Sequence, residues 1–259
     1  LEHERLWQKM YRYLAYYGRQ GVGMQMISGA DIALWDIAGQ ALGQPIYKLL
    51  GAGYRDQVRA YASTLFRPTP DAMKRAVAEY LQHGFRAIKF GWGVFGFDLE
   101  LDIALVRAAR EEAGPGVTLM VDGGWYGVGY DQPYKPRPTK DWIRLARGLE
   151  ELDIFWLEDF IHPENFAGYA EVARHTKTLR LAAGEQLSGY LDFERLAAEG
   201  RVDVLQPDLS RCGGLTVGRQ IADMAMRRQI DCVPHAWLTN LLKAASLHLA
   251  RCLALEGAP

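Results

Sequence analysis

The chain is poor in the features that mark several functional classes. No apolar run reaches the roughly 18 residues needed to cross a bilayer. The opening residues, Leu1 to Gln8, mix charged and apolar side chains and do not form the apolar stretch of a signal peptide. Lys and Arg number 30 against 31 Asp and Glu, so the net charge of -1 lacks the basic excess of a nucleic-acid footprint. Cysteines are few: Cys212, Cys232 and Cys252 are too scattered for a disulfide framework and lack zinc-ligand spacing. They are expected to be reduced residues in or near the core, which makes the cytoplasm the expected compartment. A dinucleotide fingerprint is incomplete. Gly91, Gly93 and Gly96 satisfy Gly-x-Gly-x-x-Gly, but the acidic residues that follow at suitable distance, Glu111 and Glu112, fall in a helical stretch. The ends also lack closing elements. The chain begins at Leu1 and finishes on the loop-like Leu255 to Pro259, as expected of a fragment at both ends.

What is present is a length of 259 residues, 49% hydrophobic, enough for a substantial core. Leu6, Met10, Tyr13, Leu14 and Tyr17 recur at helical spacing. A second helix is expected after the glycines at 18–23. Ser28 would cap it with Asp31 in the capping-box position, and Ala30, Ala33, Leu34, Ile37, Ala38 and Ala41 would form its buried stripe. Gly43 ends it, and Pro45 opens a short third helix. From residue 58 the rhythm changes. Short apolar runs at Val58–Ser63, Ala87–Phe90, Thr118–Asp122, Ile154–Glu158, Leu181–Glu185, Val202–Gln206 and Cys232–His235 alternate with amphipathic stretches. Strands alternating with helices imply parallel pairing through right-handed crossovers. The expected fold class is α/β. Residues 1–55 form a helical part, and residues 56–259 form a (β/α) TIM-type barrel of about seven units lacking its last strand. A doubly wound open sheet is the alternative. The long irregular stretch 123–138 carries Tyr126, Tyr130, Tyr134, Lys135 and Arg137, and suits an active-site cover better than a linker.

Three consecutive apolar runs, the third to fifth, end in a carboxylate: Asp122, Glu158 and Glu185. On a barrel these ends are neighbours, so the three converge. Their repulsion, sharpened by burial, calls for a cation. Hard oxygen donors with no neighbouring His or Cys favour Mg²⁺, with Mn²⁺ second. Asp208 just past the sixth run and His235 at the end of the seventh can pair. A carboxylate on an imidazole fixes its tautomer and raises its pKa, which suits a general acid or base. Lys89, expected at the end of the second run, could neutralise a substrate carboxylate or move a proton. A metal cradle with a Lys and an Asp–His pair is equipped to remove a proton next to a carboxylate and to offset the charge that develops.

These residues resemble the enolase superfamily, and within it the mandelate racemase-like subgroup. The resemblance is carried by Gly84-Phe85-Arg86-Ala87-Ile88-Lys89, Val121-Asp122-Gly123, Trp156-Leu157-Glu158-Asp159 and Ala183-Gly184-Glu185. It is carried further by Gln206-Pro207-Asp208 with Cys212-Gly213-Gly214, by Pro234-His235, and by Asp-x-Ala-x-Trp-Asp from Asp31 to Asp36. It implies a truncated N-terminal α+β capping domain before the barrel, Mg²⁺ at Asp122, Glu158 and Glu185, and an Asp208–His235 acid–base pair. It further implies a small carboxylate substrate, a sugar acid, and a homo-oligomeric enzyme. The expected activity is a dehydratase (a lyase) giving a 2-keto-3-deoxy acid. A racemase, epimerase or cycloisomerase on the same scaffold is the alternative, and a catalytically incompetent truncated homologue is a third reading. The subgroup's usual Lys-x-Lys is here Lys89-Phe90-Gly91, so the second basic position is empty and a two-base racemase is disfavoured. Tyr126, Lys135 and Arg137 are the expected substrate-binding residues.

Overall fold

The structure is a computed structural model that describes residues 2–51, 53–124 and 137–253. In chain order its elements begin with α1 (His3–Leu14), α2 (Val22–Leu42), α3 (Ile46–Leu49), β1 (Ala62–Leu65), α4 (Pro70–Gln82), β2 (Ala87–Gly91) and α5 (Leu99–Ala113). They continue with β3 (Thr118–Asp122), α6 (Thr139–Glu151), β4 (Ile154–Glu158), α7 (Phe166–Ala173), β5 (Arg180–Ala183) and α8 (Gly189–Arg195). The last are β6 (Val204–Leu205), α9 (Gly214–Arg228), β7 (Asp231–Cys232) and α10 (Asn240–Arg251). Among the described residues no helix is long and apolar enough to cross a membrane. The chain forms two compact units, one of Leu1–Val58, Gly184–Ala198 and Asp203–Ala258, the other chiefly of Arg59–Ala183.

The Arg59–Ala183 unit carries β1 to β5, each strand parallel to the next. All five residues of β2 are buried, as are the last four of β3, which is why they read as continuous apolar runs rather than alternating ones. Local signals start the helices. Thr69 accepts from the Ala72 amide at the head of α4, with Pro70 at its first position. Asp98 and Asn165 cap α5 and α7 in the same way. Trp142, Trp156, Phe160 and Tyr169 fill the core at no more than 1% exposure. Glu150 near the end of α6 accepts from the amides of Lys177, Thr178 and Leu179 through a single oxygen, at 2.6, 2.6 and 3.0 Å. That carboxylate fixes the turn leading into β5. The first strand lies later than expected, at Ala62–Leu65 rather than Val58–Ser63, in register with Ile88 to Gly91.

In the other unit, α1, α2 and α3 lie with α8 to α10 and the parallel pair β6–β7. Two expectations for α2 are corrected. It starts at Val22, so Ser28 is an interior residue whose hydroxyl donates to the Met24 carbonyl at 2.7 Å. Nor is the buried stripe the alanine-rich one. Met24, Ile27, Ser28, Asp31, Ala38 and Gly39 are buried, while Ile37 is 53% exposed. The reason is tertiary: Ser28 and Asp31 bond to the start of α9 and turn that face inward. On α1 the buried residue is Trp7, and Tyr13 and Tyr17 are exposed. Gly43 closes α2 in the left-handed conformation, as expected. The helix α10 was not anticipated. Its stripe of Leu242, Ala245 and Leu249 is masked in the sequence by the exposed Leu241 and Leu247. Cys212 is fully buried between β6 and α9.

Candidate active site

Lys89 lies in the middle of β2, not at its end, because the strand runs on to Gly91. Pairing sets Gly91 beside Asp122 and Asp122 beside Glu158 across three strands. The Lys89 ammonium is hydrogen-bonded to Glu158 Oε1 and lies 3.4 Å from Asp122 Oδ2. The Trp156 indole donates to Glu158 Oε2 at 3.0 Å, and the Gly124 amide to Asp122 Oδ1 at 2.8 Å. Both carboxylates are therefore fixed and almost wholly removed from water. Burial pulls the Lys89 pKa down, but the charges of Glu158 and Asp122 overcome it and hold it well above the ordinary value. Gly91 is required by this packing. A Cβ there would lie 2.7 Å from Asp122 Cβ, so a second basic side chain at this position would displace the carboxylate.

The second cluster belongs to the other unit. Glu185 lies two residues past the end of β5 rather than within a strand, because Gly184 turns the chain with φ of +132°. The β6–β7 pairing extends past the strands through the bond from the His235 amide to the Pro207 carbonyl at 3.1 Å and a bridge between Asp208 and His235. That backbone pairing sets the side chains together: His235 Nδ1 is 2.7 Å from Asp208 Oδ2, and Nε2 is 3.0 Å from Glu185 Oε2. Asp208 is held in turn. Its Oδ1 accepts from the Ser210 amide at 2.7 Å and from the Ser210 hydroxyl at 2.5 Å. Burial opposes a charge on the His235 ring, but the bonds to Asp208 and Glu185 and their charges prevail, raising its pKa to about 10.

Of the expected substrate residues, Tyr126 and Lys135 lie outside the described residues. The Arg137 guanidinium bonds the buried Asp102 carboxylate at 2.6 Å and stacks 4.7 Å from the Trp142 ring centroid. Sequence reasoning missed Trp156 and Ser210. Both had a signal: Trp156 lies two residues before Glu158 and so shares its strand face, and Ser210 stands where a side-chain turn from Asp208 would close.

Among the described residues, no group of three or more His, Cys, Asp or Glu side chains is gathered as a metal site. Asp122 and Glu158 close on the Lys89 ammonium, and Glu185 on the His235 ring. The donor chemistry nonetheless suits a hard divalent cation: buried carboxylate oxygens already drawn to positive charge, with no thiolate among them.

Parallel strands alternating with helices, with buried acid and base side chains at and just past their C-terminal ends, define an α/β fold of the kind that sites chemistry at strand ends. The chain belongs to the mandelate racemase / muconate lactonizing enzyme family. Residues 72–258 match the profile described as enolase C-terminal domain-like, and residues 2–51 match the mandelate racemase / muconate lactonizing enzyme N-terminal domain. The expected fold class therefore holds: a (β/α)-barrel type preceded by helices of the family's N-terminal domain. D-galactarolactone cycloisomerase of Agrobacterium fabrum is 35% identical over 248 residues, covering 94% of this chain and 62% of that protein. L-rhamnonate dehydratase of Saccharopolyspora erythraea is 34% identical over 237 residues, covering 90% of this chain and 56% of that protein. A mandelate racemase/muconate lactonizing protein from Paracoccus denitrificans, crystallised with magnesium, superposes with a TM-score of 0.88 at 29% identity. That match covers 100% of this chain and 68% of the other. The chain thus spans about six tenths of the length of the curated relatives it matches.

Proposed function

We propose that the chain carries the proton-transfer machinery of a sugar-acid dehydratase that works with Mg²⁺. The observation that carries this reading is the clamped imidazole. Asp208 holds Nδ1 of His235 at 2.7 Å and is itself held by Ser210, so Nε2, here 3.0 Å from Glu185 Oε2, is the nitrogen that exchanges protons. In its neutral form Nε2 takes the proton α to the substrate carboxylate. Now charged, it returns that proton to the departing β-hydroxyl, which leaves as water, and the resulting enol becomes a 2-keto-3-deoxy acid. Asp208 steadies the imidazolium between the two transfers. Lys89 supplies fixed positive charge beside Asp122 and Glu158. The residues that would hold the metal are Asp122, Glu158 and Glu185. A divalent cation there supplies charge neutralisation as a carboxylate gains electron density.

The similarity to a cycloisomerase supports a second reading, in which the same His235 serves a lactone instead of an open-chain acid. The steric demand at Gly91 argues against a racemase with a second base at that position. The test is a panel of aldonates, aldarates and their lactones with Mg²⁺ in D₂O. His235→Asn is expected to retain Mg²⁺ binding and to lose α-proton exchange by at least about a hundredfold. Unchanged exchange in that variant refutes the role of His235. Turnover of a galactarolactone in place of every open-chain acid selects the second reading.

A further inference from the structure

The helix α2 is tied to the turn that carries Asp208 by a buried polar network. Ser28 and Asp31 are both 0% exposed. The Ser28 hydroxyl donates to the Met24 carbonyl, which leaves its oxygen to accept from the Gly213 amide at 2.9 Å. Asp31 accepts from the Thr216 amide at 2.9 Å and from the Thr216 hydroxyl at 2.6 Å, and so caps the start of α9 from another helix. Trp7 of α1 donates its indole N–H to the Gly213 carbonyl at 2.8 Å, and Trp35 donates to the Thr216 hydroxyl at 2.9 Å. Gly214 admits the Asp31 carboxylate: a Cβ there would lie 2.3 Å from Asp31 Oδ2. The start of α9 is thereby fixed at its amides, a carbonyl and a hydroxyl, all from α1 and α2.

What this clasp holds is the turn from Asp208 to Gly213. The Asp208 carbonyl accepts from the amides of Arg211 at 2.9 Å and Cys212 at 2.8 Å. The Cys212 carbonyl accepts from the Gly189 amide at 2.9 Å, and the Arg211 guanidinium donates to the Glu185 carbonyl at 3.2 Å. A shift of Gly213 is therefore transmitted within one turn to Asp208, and through it to His235 Nδ1. We propose that Ser28 and Asp31 are positioning residues for the Asp208–His235 pair, so that the N-terminal helices set the geometry of the proton-transferring imidazole. The inference rests on the function proposed above for that pair.

The test uses the full chain without added metal. A histidine N–H bonded to a carboxylate gives a far-downfield proton resonance, assigned by its loss in His235→Asn. Ser28→Ala and the shape-preserving Asp31→Asn are expected to move or broaden this resonance at neutral pH while leaving the chain folded. Ala38→Gly, which weakens the same helix away from the turn, is expected to leave it in place. On a turned-over sugar acid with Mg²⁺, Ser28→Ala is expected to lower kcat by ~10- to 100-fold with little change in KM, the scale of misplacing a catalytic group. An unmoved resonance in folded Ser28→Ala and Asp31→Asn overturns the inference. So does an equal shift in Ala38→Gly. The two readings separate cleanly. Full turnover by His235→Asn sinks the proposed function, whereas the resonance alone decides the positioning role.

Discussion

Replacing Lys89 by Met removes one ammonium from two buried carboxylates. The side chains of Lys89, Glu158 and Asp122 are 5%, 0% and 7% exposed, so water cannot replace the lost charge without opening the fold. Breaking a buried ion pair by deleting one partner costs about 3–5 kcal/mol. Because this cation serves two acids, the cost belongs at the upper end. At a urea slope near 3 kcal/mol/M for a chain of this size, the midpoint falls by about 1.3–1.7 M. The loss also has a pH signature. Without Lys89, burial and mutual repulsion raise the folded pKa of one carboxylate above its unfolded value. Its protonated form is then compatible with the fold, so the variant gains stability relative to wild type as pH falls. Urea unfolding followed by far-UV circular dichroism at pH 8 and pH 5, in chelator, is the assay. The gap is expected to be larger at pH 8, and added Mg²⁺ is expected to recover part of it. A loss below about 1 kcal/mol, or a gap that ignores pH, would refute the claim that Lys89 balances these acids.

Two further predictions concern other parts of the chain. Gly91→Ala is expected to cost about 1–3 kcal/mol by overpacking against Asp122, and to weaken Mg²⁺ binding measured by calorimetry. Glu150→Gln is expected to cost about 1 kcal/mol at pH 7, because a neutral acceptor serves the amides of residues 177–179 less well. Burial opposes the Glu150 charge, but those amides win and its folded pKa lies below 4.5, so its contribution is full above that pH. It is lost as pH falls through the folded value, and thermal melts of the two proteins should therefore converge in acid.

The β3 and β4 strands were legible to the residue, because these buried parallel strands are compact apolar runs ended by an acid. Their neighbours were less so. At β6 and β7 the regular pairing shrinks to two residues each, and the pairing that matters for Asp208 and His235 continues as irregular backbone with no pattern of its own. Ser28 and Asp31 were misplaced for a definite reason. Ser-x-x-Asp is a good local cap, and only the bonds to Gly213 and Thr216, some 185 residues away, turn it into an interior polar seam. The pairing of Lys89 with Glu158 was equally hidden, since it depends on the register of three strands. The Asp208–His235 contact was read from residue types and positions, whereas Trp156 and Ser210, which hold Glu158 and Asp208, were not.

Cys212 sits inside the turn that runs from Asp208 to the head of α9, with no exposed surface and a thiol that burial pushes well above its usual range. A sulfur that is neither ionised nor reachable is inert to alkylating reagents while that segment stays shut. Its modification rate is thus a native clock for local opening of the turn that carries Asp208.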